Sequence, residues 1–213
     1  MKIAIVGTAQ SANDAPIGVE GWKIWSLPPN VQRWKGIDKA DEWFELHELP
    51  SLVQDCGADK AFFDSLRVLG SKLTVIEPSE EVPEAKLYPR QAIIDAFGPY
   101  FTSSIAWMLA LAIQTNPETI GIWGVNCSGT AEYAEQRACI EYLIGIARGK
   151  GIKVQVHTDS MICKAFLYYD QTSQRITRKI KAMEDVAENY RDHANYNRGY
   201  VDALKFMKNG IGE

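Results

Sequence analysis

The sequence predicts an α/β protein, with a mainly parallel sheet covered by helices on both faces and a helical arm at the C-terminus. Three observations carry this reading. Short β-branched runs alternate with helical patterns through most of the chain. The two clearest helical patterns, Thr102–Gln114 and Ala131–Arg148, interleave with runs at Thr119–Trp123 and Ile152–Val156 at the spacing of crossover units. Beyond residue 171 the alternation gives way to a heptad. The expected division is therefore 1–170 for the sheet domain and 171–213 for the arm.

Lys2–Val6 (KIAIV) has the β-branched content of a fully buried strand and stops at Gly7. Trp22–Leu27 is a second strand, ended by Pro28 and Pro29. Glu42–Leu46 and Leu73–Ile76 are a third and a fourth, and Thr119–Trp123 and Ile152–Val156 complete six. Thr102 or Ser103 can cap the first clear helix, which is apolar on nearly every side, as a helix laid on a sheet should be. The second helix ends at Gly149-Lys150-Gly151, a suitable carboxyl cap. In the arm, Ile176, Ile180, Met183, Ala187, Tyr190, Ala194, Asn197, Val201 and Leu204 are spaced alternately four and three apart, with Asn197 as a polar interruption. One helix from Thr172 to Lys208 would be about 55 Å long. Either it breaks near Asn195–Gly199 and folds back on the sheet, or it pairs with another subunit as a homo-oligomer.

Composition narrows the function. Apolar residues make up 46% and charged residues 23%, with a net charge of −4, so the chain is an ordinary globule with little electrostatic grip on nucleic acid. The longest apolar run, Ile105–Ile113, is far short of the ~20 residues that span a bilayer. The amino terminus reads as a strand rather than a signal peptide, so no membrane partner is expected and the cytoplasm is the expected location. Cys56, Cys127, Cys139 and Cys163 form no C-x-x-C pair and read as reduced, mostly buried thiols, with no metal site and no cofactor implied. Most of the six tryptophans read as core.

In parallel α/β sheets ligands sit outside the carboxyl ends of the strands, so the residues just after each strand are the candidates for chemistry. Gly7-Thr8-Ala9-Gln10-Ser11 offers a tight turn, backbone amides and two hydroxyls, groups that can cradle an anion. Asn30 and Arg33 come after the second strand and bring an amide and a planar cation suited to phosphate or a sugar carboxylate. His47 and His157 fall at the ends of the third and last strands, while His193 lies in the arm. Gly124-Val125-Asn126 and Ser128-Gly129-Thr130 lead into the second helix, whose first turn holds Glu132 and Tyr133. Further along, Arg137 and Glu141 are four apart and form either an intrahelical ion pair or part of the ligand edge.

Ile3-x-Ile5-Val6-Gly7-x-x-x-Ser11, the strand ending before Asn30, Phe44-Glu45-Leu46-His47, the helix start Thr102-Ser103-Ser104 and the run Ile120–Asn126 together resemble a known pattern. It is similar to that of the Rossmann-like group holding the sialyltransferases and the archaeal hydroxymethylpterin diphosphokinase-like proteins. The stretch from Glu132 to Ala147 is also similar to uncharacterised bacteriophage proteins of this size. The resemblance covers about residues 1–165. Gly-Thr-Ala-Gln-Ser stands in place of Gly-Pro-Ser, Ser104 in place of a glycine, and Asn126 in place of an acidic residue. It implies that Gly7, Thr8 and Ser11 hold nucleotide phosphates, and that Asn30, Ser103 and Asn126 position the nucleotide or its transferable group.

The expected activity is transfer from an activated nucleotide, foremost a nucleotide sugar, by a metal-independent, glycosyltransferase-like enzyme. His47 or His157 would be the general base on an acceptor hydroxyl, because imidazole titrates near neutrality. Arg33, Tyr133 and loop amides would stabilise the leaving phosphate. Two alternatives stay open: a nucleotide N-glycosidase or deoxyribosyltransferase-like enzyme with Glu132 or Glu141 as nucleophile, and a non-catalytic oligomer that binds or sequesters a nucleotide.

Overall fold

The computed structural model describes residues 1–48, 53, 59–128, 131–164, 176, 179–188, 190, 191 and 198. The chain divides into two compact units, Met1–Cys127 with Glu135–Cys163, and Ser128–Ala134 with Lys164–Glu213.

The first unit holds one seven-stranded sheet. Its strands are β1 (Lys2–Val6), β2 (Trp22–Ser26), β3 (Glu42–Glu45), β4 (Leu73–Val75), β5 (Lys86–Leu87), β6 (Thr119–Trp123) and β7 (Lys153–Val156), in the order β5-β4-β3-β2-β1-β6-β7. Every neighbouring pair is parallel. The α/β class expected from the sequence is thus the class observed, and all six expected strands are present within a residue or two of their expected limits. The seventh, β5, is two exposed residues long, too short to leave a periodic signal.

Among the described residues, five helices have settled bounds: α1 (Asn30–Trp34), α2 (Lys60–Arg67), α3 (Arg90–Phe97), α4 (Ser104–Gln114) and α5 (Ala131–Gly149). Of these, α4 and α5 are the two read from the sequence. Ser103 caps α4, its Oγ accepting from the Ala106 N–H at 3.2 Å. The Asp59 carboxylate does the same for α2 from the Phe62 N–H at 3.0 Å.

Ile3 to Val6 of β1 are all fully buried and alternate between two faces, as a doubly covered sheet requires. Ile3 and Ile5 join Phe44, Ile120 and the α4 residues Met108, Leu109 and Ile113 in one core, with Ile140, Leu143 and Ile144 of α5. Ala4 and Val6 face the other way and join Ile24, Trp43, Leu73 and the α2 residues Phe63 and Leu66 in a second core. Trp25 and Trp43 are buried, while Trp22, Trp34, Trp107 and Trp123 are only partly so. Cys127 and Cys139 are buried, but Cys163 is exposed, which corrects its reading as a core thiol. Burial pushes the Cys127 thiol up to about 11, so it is protonated near neutrality.

Candidate functional site

The chain runs from β1 through β5 in one direction across the sheet and then returns to place β6 on the other side of β1. The topological switch point therefore lies between the carboxyl ends of β1 and β6, where Gly7 and Gly124 stand. These two glycines close on each other. The Gly7 N–H donates to the Trp123 carbonyl at 2.9 Å and the Ala9 N–H to the Gly124 carbonyl at 2.9 Å. The Ser11 Oγ accepts from the Gly124 N–H at 3.0 Å, and Ser11 is buried. Two of the amides and one of the hydroxyls expected to cradle an anion are thus engaged within the protein.

Asn30 and Arg33 continue this knot. Asn30 is fully buried; its Nδ2 donates to the Gly7 carbonyl at 2.8 Å and to the Ser26 Oγ at 2.9 Å. The Ser26 hydroxyl in turn donates to the Val6 carbonyl at 3.1 Å. Arg33 donates from Nη1 to the Ala9 carbonyl at 3.0 Å and from Nη2 to the Thr8 carbonyl at 2.5 Å. Both side chains therefore hold the β1 loop against the end of β2. We expect Asn30→Ala to cost about 2 kcal/mol in denaturant unfolding, because it strands a buried carbonyl and a buried hydroxyl. An unchanged unfolding midpoint would show that the amide does not tie the loop to β2.

The two imidazoles differ in what they offer. His157, at the end of β7, is largely buried. Its Nδ1 accepts from the Asp159 N–H at 3.2 Å, which leaves the proton on Nε2, 3.2 Å from Asp14 Oδ2. Both of its nitrogens are engaged. His47 comes just after β3, with Nδ1 2.6 Å from Glu45 Oε1, and its ring is 56% exposed against 10% for the carboxylate. Residues two apart on a strand share a face, which explains the contact. The Glu45 carboxylate, which also accepts from the His47 N–H at 3.2 Å, raises the imidazole above its ordinary value against the opposing effect of burial. With Nδ1–H directed at Glu45, the lone pair resides on Nε2.

Sequence reasoning missed Glu45 and Asp14. The period of two along β3 could have supplied Glu45, whereas nothing local marks Asp14.

Of the other expected residues, Gly7 and Thr8 stand at the switch point, Thr8 exposed at the rim. Asn126 lies just beyond β6 and is half-buried; its carbonyl accepts from the Met161 N–H at 2.8 Å, and its buried Oδ1 has no hydrogen-bond partner among the described residues. Ser103 serves as the α4 cap. Glu132 and Tyr133 belong to the second unit, and both are exposed. Glu141 accepts from the Cys163 N–H at 2.7 Å and lies 3.6 Å from Arg137 Nε, so the helix ion pair is made. Gly129, Thr130 and His193 lie outside the described residues. Among the described residues no three His, Cys, Asp or Glu side chains converge as a metal site would require, and no helix is long and apolar enough to cross a membrane.

No protein-family model matches the chain, and no curated protein matches its sequence. Solved structures do show similarity. The sialyltransferase CstII from Campylobacter jejuni, in complex with the substrate analogue CMP-3FNeuAc, aligns at a TM-score of 0.43 and 14% identity over 73% of this chain and 79% of that one. An α-2,3-sialyltransferase from the same organism, in apo form, aligns at 0.42 and 15% over 86% and 95%. The monofunctional α-2,3-sialyltransferase Cst-I aligns at 0.38 and 14% over 86% and 94%. At these TM-scores the likeness decides no activity; the parallel sheet alone establishes the α/β class.

Proposed function

We propose that this protein is a nucleotide-dependent transferase of glycosyltransferase-like type, with His47 as its general base. The Glu45–His47 contact carries the reading. A buried carboxylate fixes the tautomer of a half-exposed imidazole at the ligand-binding edge of a parallel sheet, as proton abstraction from a hydroxyl requires. In the step, the acceptor O–H gives its proton to His47 Nε2, and the acceptor oxygen bonds the donor's anomeric carbon. The bond from that carbon to the phosphate oxygen breaks, its electron pair leaving with the phosphate. A nucleotide sugar is the donor that the motifs around Gly7, Asn30, Ser103 and Asn126 suggest.

The rim offers groups for such a donor. Thr8 is exposed, and Arg33 carries five N–H donors, two of which serve the Thr8 and Ala9 carbonyls. This guanidinium answers the charge on the leaving phosphate with no metal invoked. The buried Asn126 Oδ1, which has no hydrogen-bond partner among the described residues, suits a hydroxyl or amino donor of the nucleotide. An exposed, unpaired Cys163 fits a reducing, cytoplasmic setting. We also infer a homo-oligomer formed through the C-terminal helix.

Thermal-shift screening against nucleotides and nucleotide sugars tests the donor. A ligand present at 100 times its dissociation constant adds about 2.7 kcal/mol of stability, and the same ligand should lose its sugar when a hydroxyl acceptor is supplied. Binding without conversion would select a sequestering protein instead, and release of free base without acceptor an N-glycosidase. A flat response across the whole panel would remove the nucleotide reading.

A further inference from the structure

The C-terminal ends of α3 and α4 and the second half of α5 border an open cleft of about 480 Å³, a volume in the range of ligand sites. Asn116 comes just before β6 and Lys150 just before β7, so the cleft lies at the opposite end of the strands from Gly7 and Gly124. Its apolar lining comes from Ile113, which is buried, and from Phe97 and Ile146, which are partly so. Tyr142 adds a ring that is 48% exposed and meets the Tyr100 ring in a T-shaped contact, centroids 5.9 Å apart. Gln114, Asn116 and Lys150 supply the polar lining. Their side chains and the Tyr142 hydroxyl have no hydrogen-bond or ion-pair partner among the described residues.

We propose that this cleft binds a saccharide unit, at a site separate from the rim. A sugar ring carries both kinds of surface that the cleft presents. Its C–H face stacks on an open aromatic ring, which Tyr142 offers. Its hydroxyls both donate and accept, as do the Gln114 and Asn116 amides and the Tyr142 phenol. Lys150 only donates, and it suits a hydroxyl, ring or carboxylate oxygen of the same ligand. A wholly apolar ligand would strip water from these polar groups without replacing it. A small inorganic anion would answer Lys150 and leave the aromatic and aliphatic wall unused. The contact with Tyr100 holds the Tyr142 ring in place, so less side-chain freedom is lost when a ligand stacks on it. None of these residues serves the rim, so the site stands whether or not the transferase reading does.

Saturation-transfer NMR on the full chain tests this, with the methyl glycosides of glucose, galactose, N-acetylglucosamine and glucuronic acid at millimolar concentration. At least one of them should receive saturation on its ring C–H protons. Tyr142→Ala should then weaken that sugar's binding on the order of tenfold, and Lys150→Ala about fivefold. Both side chains are exposed, so both variants should keep the wild-type unfolding midpoint. Benzoate offers a ring and a carboxylate but no hydroxyls, and it should bind more weakly than the best of the four sugars. Silence from all four overturns the proposal, and tighter binding of benzoate overturns the saccharide class. A signal that survives Tyr142→Ala at full strength also overturns the site. If that signal is lost in Arg33→Ala instead, the sugar sits at the rim, which removes the cleft and leaves the transferase reading standing.

Discussion

His47→Ala is expected to lower turnover at least about a hundredfold, the usual contribution of a positioned general base. It should leave the circular dichroism and unfolding midpoint close to wild type, because the ring is more than half exposed and packs in neither core. Glu45→Gln separates positioning from proton transfer. The carboxylate holds the His47 pKa above 6.5, chiefly through the hydrogen bond to Nδ1. The base must be neutral to act, so wild-type kcat/KM should rise with pH through that raised value. In Glu45→Gln the same limb should move to lower pH while the maximum rate falls. Stability carries the opposite sign. A pKa raised on folding contributes stability that is complete below 6.5 and is lost as pH rises through the folded value. The contribution is small because solvent screens the pair, and it should vanish in Glu45→Gln. Wild-type turnover in His47→Ala would remove His47 from the chemistry.

Gly124→Ala is expected to be the most destabilising single-methyl change in the sheet domain, at about 3 kcal/mol or more. Gly124 has φ +65, and a Cβ there would sit 2.4 Å from the Gly7 carbonyl oxygen and 2.7 Å from its carbon. These are backbone atoms at the end of a central strand, and they cannot swing aside as a side chain could. The reciprocal change, Gly7→Ala, meets the Gly124 carbonyl oxygen at 2.4 Å. Gly145→Ala is the control: it lies inside α5 with nothing within 4 Å of the added carbon, and it should stabilise by about 0.5–1 kcal/mol. Denaturant unfolding of the three variants measures all of this. A Gly124→Ala protein as stable as wild type would show that the β1 and β6 loops do not pack backbone to backbone.

The same pair of loops explains why the site was only partly legible. Gly7, Ser11, Asn30 and Arg33 were recognisable as polar or turn-forming residues after strands, and the structure does gather them at one edge. Their partners, however, are distant in sequence. Ser11 meets Gly124, 113 residues away, and Asn30 meets Gly7, 23 residues away. A residue type and its place after a strand cannot tell whether a hydroxyl faces a ligand or another loop. His47 and His157 look equivalent in the sequence, each with a carboxylate two residues away; only the fold adds Asp14, 143 positions distant, to His157 and leaves the His47 ring more than half exposed.

What the sequence determined alone is what local periodicity encodes. The continuous β-branched run of β1, the all-round apolar surface of α4, the cap at Ser103 and the heptad after residue 171 depend on neighbours within a few positions, and the strands and the two long helices come from them. Strand order, the two-residue β5, the switch point beside β1 and the closure of Gly7 on Gly124 were decided only in the folded chain. Those features arise from parallel pairing between segments tens to more than a hundred residues apart, where backbone hydrogen bonds fix register without regard to side-chain identity.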